Sequence, residues 1–107
     1  IGTIFKAIQY RNGELIMYRI IDSRSSGKTS RLMLLARETG SVIACMNPSA
    51  MRQKAHAYGI TGIQFISYSD LFTGEYDEDK VMIDELEVFV SNYIDGKLTG
   101  YTLSNED

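Results

Sequence analysis

LIMYRIIDSRSSGKTSRLMLLARETG, residues 15–40, is the stretch on which the reading of the chain turns. Leu15 to Ile21 is β-rich and nearly all apolar, as expected of a strand covered on both faces. It runs into small and polar residues, Asp22-Ser23-Arg24-Ser25-Ser26-Gly27. Lys28 to Glu38 then carries strong helix formers throughout and is ended by Gly40 as a helix cap. A strand, a small-residue loop and a helix in that order form the setting a phosphate-binding loop requires. Small residues let the backbone curl until its N–H groups converge on phosphate oxygens, and the helix amino end adds positive dipole. The loop Ser23, Arg24, Ser25, Ser26, Gly27, Lys28, Thr29 and Ser30 is therefore predicted to bind a nucleotide. Lys28 would reach the outer phosphates, and the Thr29 hydroxyl would bind Mg²⁺. A Gly-Lys-Thr tripeptide alone is a weak signal, because short strings recur by chance; its position between strand and helix is what gives it weight.

A second stretch bears on the same chemistry. Val81 to Glu85, VMIDE, is an apolar strand ending in two adjacent acids. An Asp at the carboxyl end of such a strand can hold Mg²⁺ through water, and the next Glu can polarise an attacking water, which makes Asp84 a metal ligand and Glu85 the catalytic base, with Lys28 as catalytic cation. If both elements end at the same edge of a parallel sheet, Asp84 approaches Thr29 across the sequence gap, at the edge where open α/β sheets bind ligands. The competing explanation is structural: acids favour the first turn of a helix because they complement its dipole.

Around these motifs the chain alternates. Ile1 to Glu14 is an amino-terminal extension, either a helix (Ile1, Ile4, Phe5, Ile8) or a hairpin turning at Arg11-Asn12-Gly13-Glu14. Strands are predicted at Val42–Met46, Ile63–Ser67, Lys80–Asp84 and Leu98–Leu103. Helices are predicted after Asn47-Pro48 as far as Gly59, over Ser69–Phe72, and from Glu85 to Ile94 with Gly96 as the stop. Such alternation predicts an α/β fold, a mostly parallel sheet with helices on both faces, in one domain over 1–107.

Composition narrows the function. At 107 residues and 44% hydrophobic content the chain is too short for two cores of ordinary size. A net charge of −3 and a sequence pI of about 5.1 argue against a generic binder of nucleic-acid backbone. The single Cys45 can make no intramolecular disulfide, one Cys and one His leave no zinc site of the usual kind, and no apolar run is long enough to span a bilayer. Cys45 in VIACM reads as a buried core residue, and His56, among Lys54, Ala55 and Ala57, as an exposed helix position.

Taken together, the Ser23–Thr29 loop and the VMIDE box resemble the P-loop NTPases, and among them the RecA-like ATPase cores of helicases and phage terminases. The Ser-Arg-x-x-Gly-Lys-Thr form looks like the terminase variant of the loop. The resemblance covers about Leu15 to Asn105 and implies a three-layer P-loop sandwich of minimal size. It also implies ATP or another NTP with Mg²⁺ as ligands, and a role as an ATPase module in nucleic-acid handling within the cytoplasm, the host's if the chain is phage-encoded. In GYTLSN, Thr102 and Ser104 stand where those families place a γ-phosphate sensor. Such motors complete their site with an arginine finger from a second copy or a partner protein, for which Arg24, Arg31, Arg37 and Arg52 are the candidates in trans. The chain departs from the pattern at Asp22, which occupies the first glycine position of the loop and whose carboxylate would repel phosphate unless it turns away. Two other functions fit the same residues: a non-hydrolysing nucleotide-binding or regulatory module, and a nucleoside or nucleotide kinase, to which IDELEVF bears a distant likeness.

Overall fold

The computed structural model describes residues 3–9, 16–21, 27–77 and 79–103. They fall into two compact units, one drawn from 1–28 and 100–107 and the other spanning Thr29–Thr99. In the first, strand β1 (Thr3–Gln9) pairs antiparallel with β2 (Ile16–Ile21), with a register shift between Lys6 and Ile8. This answers the choice left open for the amino-terminal extension in favour of a hairpin; its turn lies outside the described residues. It also corrects the expectation for β2. Its hydrogen-bonded partner is β1 and not a parallel strand, and Met17 and Ile21 are about half exposed. A two-stranded ribbon gives each strand a neighbour on one edge only, so an apolar run by itself does not show that both faces are covered.

The second unit begins with α1 (Lys28–Thr39), whose first residue is the last of the other unit, and continues through β3 (Val42–Cys45), α2 (Pro48–Tyr58), β4 (Phe65–Ser67), α3 (Tyr68–Thr73), β5 (Val81–Ile83) and α4 (Leu86–Ser91). The sheet order is β4-β3-β5, all parallel, with Ala44 in register with Ile66 on one side and Ile83 on the other. Period-two alternation sorts the side chains. Ile43, Cys45, Phe65 and Met82 pack with Met33 and Ala36 of α1 and Met51 and Ala55 of α2. Val42, Ala44, Ile66, Val81 and Ile83 pack on the opposite face with Tyr68 and Leu71 of α3 and Val88 and Phe89 of α4. Helices thus cover both faces of the parallel sheet, as the alternating pattern predicts. Each fully buried Met33, Ile43 or Val42 contributes about 1.5–3 kcal/mol of transfer free energy.

Local signals set the helix ends. Asn47 accepts the Ala50 N–H at 3.1 Å, Pro48 supplies a preset φ at the first turn, and Gly59 closes α2 at φ 72°. α3 starts on a capping box in which Ser67 Oγ accepts the Asp70 N–H at 3.0 Å while the Asp70 carboxylate accepts the Ser67 N–H. Two expectations fail here. α4 stops at Ser91 and not near Gly96; the Ser91 hydroxyl donates to the Glu87 carbonyl, a local bond that competes with helix continuation. Leu98–Leu103 is irregular and not the expected strand: it pairs with none of the described strands, and Tyr101, Thr102 and Leu103 are exposed.

Candidate functional site

Because α1 leads through Gly40 and Ser41 straight into β3 and packs along it, the helix must run antiparallel to the strand. From Thr39 back to Thr29 a helix rises about 15 Å. From Ser41 to Cys45 a strand advances about 13 Å. Thr29 therefore stands at the height of the strands' carboxyl ends, the edge at which Asp84 and Glu85 follow β5. The first turn of α1 holds no acid and carries Lys28 and Arg31, the opposite of what the helix dipole favours in the absence of an anion. Gly27, just before α1, has φ 86°, a left-handed backbone that glycine adopts freely. Ser23, Arg24, Ser25 and Ser26, with Asp22, lie outside the described residues, as does Ser104. Thr102 sits exposed in irregular chain.

The acidic pair has an unusual setting. The Asp84 N–H donates to the Ala44 carbonyl at 2.9 Å, prolonging the β5 ladder by one residue. Glu85 then turns left-handed, φ 61° and ψ 70°, the one non-glycine residue with positive φ among the described residues. A glutamate there places Cβ against the following carbonyl, at a cost of about 1–2 kcal/mol. Glu85 occupies the cap position of α4 but makes no side-chain capping hydrogen bond, and the acid in the first turn of α4 is Glu87. Glu85 thus stands at the amino end of α4, where a carboxylate complements the helix dipole, without making a capping hydrogen bond.

Tyr68, the first residue of α3, holds this turn from below. Its hydroxyl donates to the Asp84 carbonyl, with the Glu85 carbonyl 3.3 Å away sharing the proton. The ring is 4% exposed and meets Phe89 edge-on at 5.3 Å. Burial first, then the negative charge of Asp84, raises the Tyr68 phenol well above its usual range, so it stays a donor. Cys45 feels the same neighbour from the other face: burial first, then Asp84, pushes its thiol up to about 11, opposed by the Asn47 N–H and Arg52. Its thiol donates weakly to the Ile66 carbonyl at 3.7 Å, a buried packing residue as the sequence suggests. His56 is exposed, also as read.

Among the described residues no group of three or more His, Cys, Asp or Glu could hold a metal ion, and no helix is long and apolar enough to cross a membrane. A magnesium ion bound with a nucleotide needs no such cluster; one carboxylate, one hydroxyl, waters and phosphate oxygens suffice. Sequence reasoning missed Tyr68. The signal that would have found it is Ser67-x-x-Asp70, a capping box directly after an apolar strand, which fixes a helix start and with it the first side chain of that helix. No protein-family model, no curated protein and no solved structure matches the chain.

Proposed function

We propose that this chain is a small P-loop NTPase-like domain that binds ATP or another nucleoside triphosphate with Mg²⁺ and hydrolyses it. The observation that carries this reading is the Asp84-Glu85 turn: an acidic pair after a parallel strand, at the edge where α1 begins, with Glu85 in a left-handed backbone that a helix start does not require. Backbone strain of this kind concentrates at functional positions.

In this reading the Lys28 ammonium balances the outer phosphate charge at the amino end of α1. The Thr29 hydroxyl and the Asp84 carboxylate are hard oxygen donors of the kind Mg²⁺ takes, directly or through water. The metal, when bound, neutralises charge on the phosphate oxygens. Glu85 accepts a proton from the water that attacks the terminal phosphorus; the bond to the bridging oxygen breaks, giving the nucleoside diphosphate and inorganic phosphate. A place in helicase- or terminase-type nucleic-acid handling, with an arginine finger from a second copy or a partner, rests on the resemblance of the motifs.

The test is equilibrium binding and phosphate release for the wild type, Lys28→Ala and Glu85→Gln. Lys28→Ala is expected to lose Mg·ATP binding, whereas Glu85→Gln keeps it and stops hydrolysis. Unchanged hydrolysis in Glu85→Gln would overturn the assignment of the base. One observation favours a second reading, a nucleotide-binding module that does not hydrolyse: Asp22 stands at the first loop position, where a carboxylate opposes phosphate. Binding by the wild type without phosphate release would select it.

A further inference from the structure

Glu85 begins α4 in a left-handed backbone, and its side chain makes no capping hydrogen bond there. Among the described contacts, the one that reaches this turn from another element is Tyr68. The tyrosine begins α3 at the carboxyl end of β4, two strands away from β5 across β3. On the face where Tyr68 packs, β3 contributes Val42 and, in register with Ile66 and Ile83, the small side chain of Ala44. The ring crosses this face and its hydroxyl meets the carbonyls of both acids. The capping box at Ser67 and Asp70 fixes the ring's origin, and Phe89, from the helix that the acidic turn starts, braces it edge-on.

We propose that Tyr68 is a positioning residue for the acidic pair: its hydroxyl, bonded to the Asp84 and Glu85 carbonyls, holds Glu85 left-handed and so aims the base. The claim about the turn stands on geometry; the claim about aiming rests on the hydrolytic reading given above. Tyr68 touches no substrate in this scheme and acts through the backbone of its neighbours.

Tyr68→Phe keeps the ring and its packing and removes only the donor. Backbone carbon and nitrogen shifts, with the three-bond coupling between the amide and α protons, report the backbone region at Glu85. In Tyr68→Phe the Glu85 shifts are expected to leave the left-handed range, while those of β3 and α2 stay put. In Tyr68→Phe combined with Glu85→Asn the turn returns to left-handed values, because asparagine tolerates that region without help. Mg·ATP affinity of Tyr68→Phe stays at the wild-type value while kcat falls by about a hundredfold, the scale of misplacing a reacting group by about 1 Å. Left-handed Glu85 shifts in Tyr68→Phe, or an unchanged kcat, would overturn the proposal. A wild type that binds nucleotide and releases no phosphate would overturn the hydrolytic reading and with it the aiming, while the NMR comparison still decides whether Tyr68 holds the turn. Should Tyr68→Phe unfold, protection of the Asp84 and Val88 amides, which donate to the Ala44 and Glu85 carbonyls, from hydrogen exchange in the wild type serves instead: rapid exchange there, against slow exchange in β3, would overturn the proposal, and slow exchange would support it.

Discussion

Replacing Glu85 by glycine should leave the protein more stable than replacing it by alanine, the reverse of what these two residues do in a helix. Both variants remove the carboxylate and whatever it touches, so their difference isolates the backbone. At φ 61° and ψ 70° alanine keeps the clash between Cβ and the following carbonyl, worth about 1–2 kcal/mol, and glycine is free of it. Against that gain stands the extra freedom glycine has in the unfolded chain, about 0.4–1 kcal/mol. Subtracting the two ranges leaves a balance that favours glycine by about 0.8 kcal/mol at its midpoint, on the order of 3–6 °C in Tm for a chain of this length. Arg52, exposed in the interior of α2, supplies the control, since alanine should there exceed glycine by about 1 kcal/mol. Urea titrations followed by circular dichroism measure both pairs. Alanine equal to or better than glycine at position 85 would show that the left-handed turn carries no strain, and would remove the ground for assigning it a purpose.

Two further outcomes follow from the caps and the buried thiol. Asn47→Ala should cost about 1 kcal/mol by orphaning the Ala50 N–H, and Asn47→Gly only a few tenths, read from the same titrations. Cys45 has a folded pKa raised to about 11 from an ordinary 9.0, so the unfolded chain loses its proton first as pH rises. The stability it contributes is whole below about pH 9 and is lost toward pH 11. The Tm of the wild type should therefore fall more steeply over that window than the Tm of Cys45→Ala, and parallel curves would contradict the burial of the thiol.

Much of the parallel unit is legible in the residues. VIAC and VMI are short apolar strands, Asn47-Pro48 and Gly59 bracket α2, and Gly40 at φ 73° ends α1, because each of these features is decided within a few residues of itself. The failures lie where the deciding partner is distant. LIMYRII is equally apolar whether its neighbour is a parallel strand or the hairpin arm Thr3–Gln9, so pairing cannot be read from it. LTGYTL has strand-like residues, but a strand exists only when another edge hydrogen-bonds it. Of the candidate site, the identity and order of Lys28, Thr29, Asp84 and Glu85 are visible in the sequence, and so is their common edge once the elements are parallel. The left-handed turn at Glu85 is not, since glutamate carries no preference for it, and the hydroxyl that holds the turn comes from position 68, separated from it by the acidic loop.

The methyl of Ala44 has a meaning that its burial alone does not convey. Strands favour β-branched residues, and Val42 and Ile43, the two residues before Ala44 in β3, are of that kind. A valine at 44 would suit the strand's own preference and fill the space over which the Tyr68 ring passes. Local propensity and the architecture of the acidic turn therefore pull in opposite directions at one position buried from water. A β-branched side chain at 44 is expected to favour the strand at the expense of the turn, so regularity of the sheet and persistence of the turn draw on the same position in opposite senses.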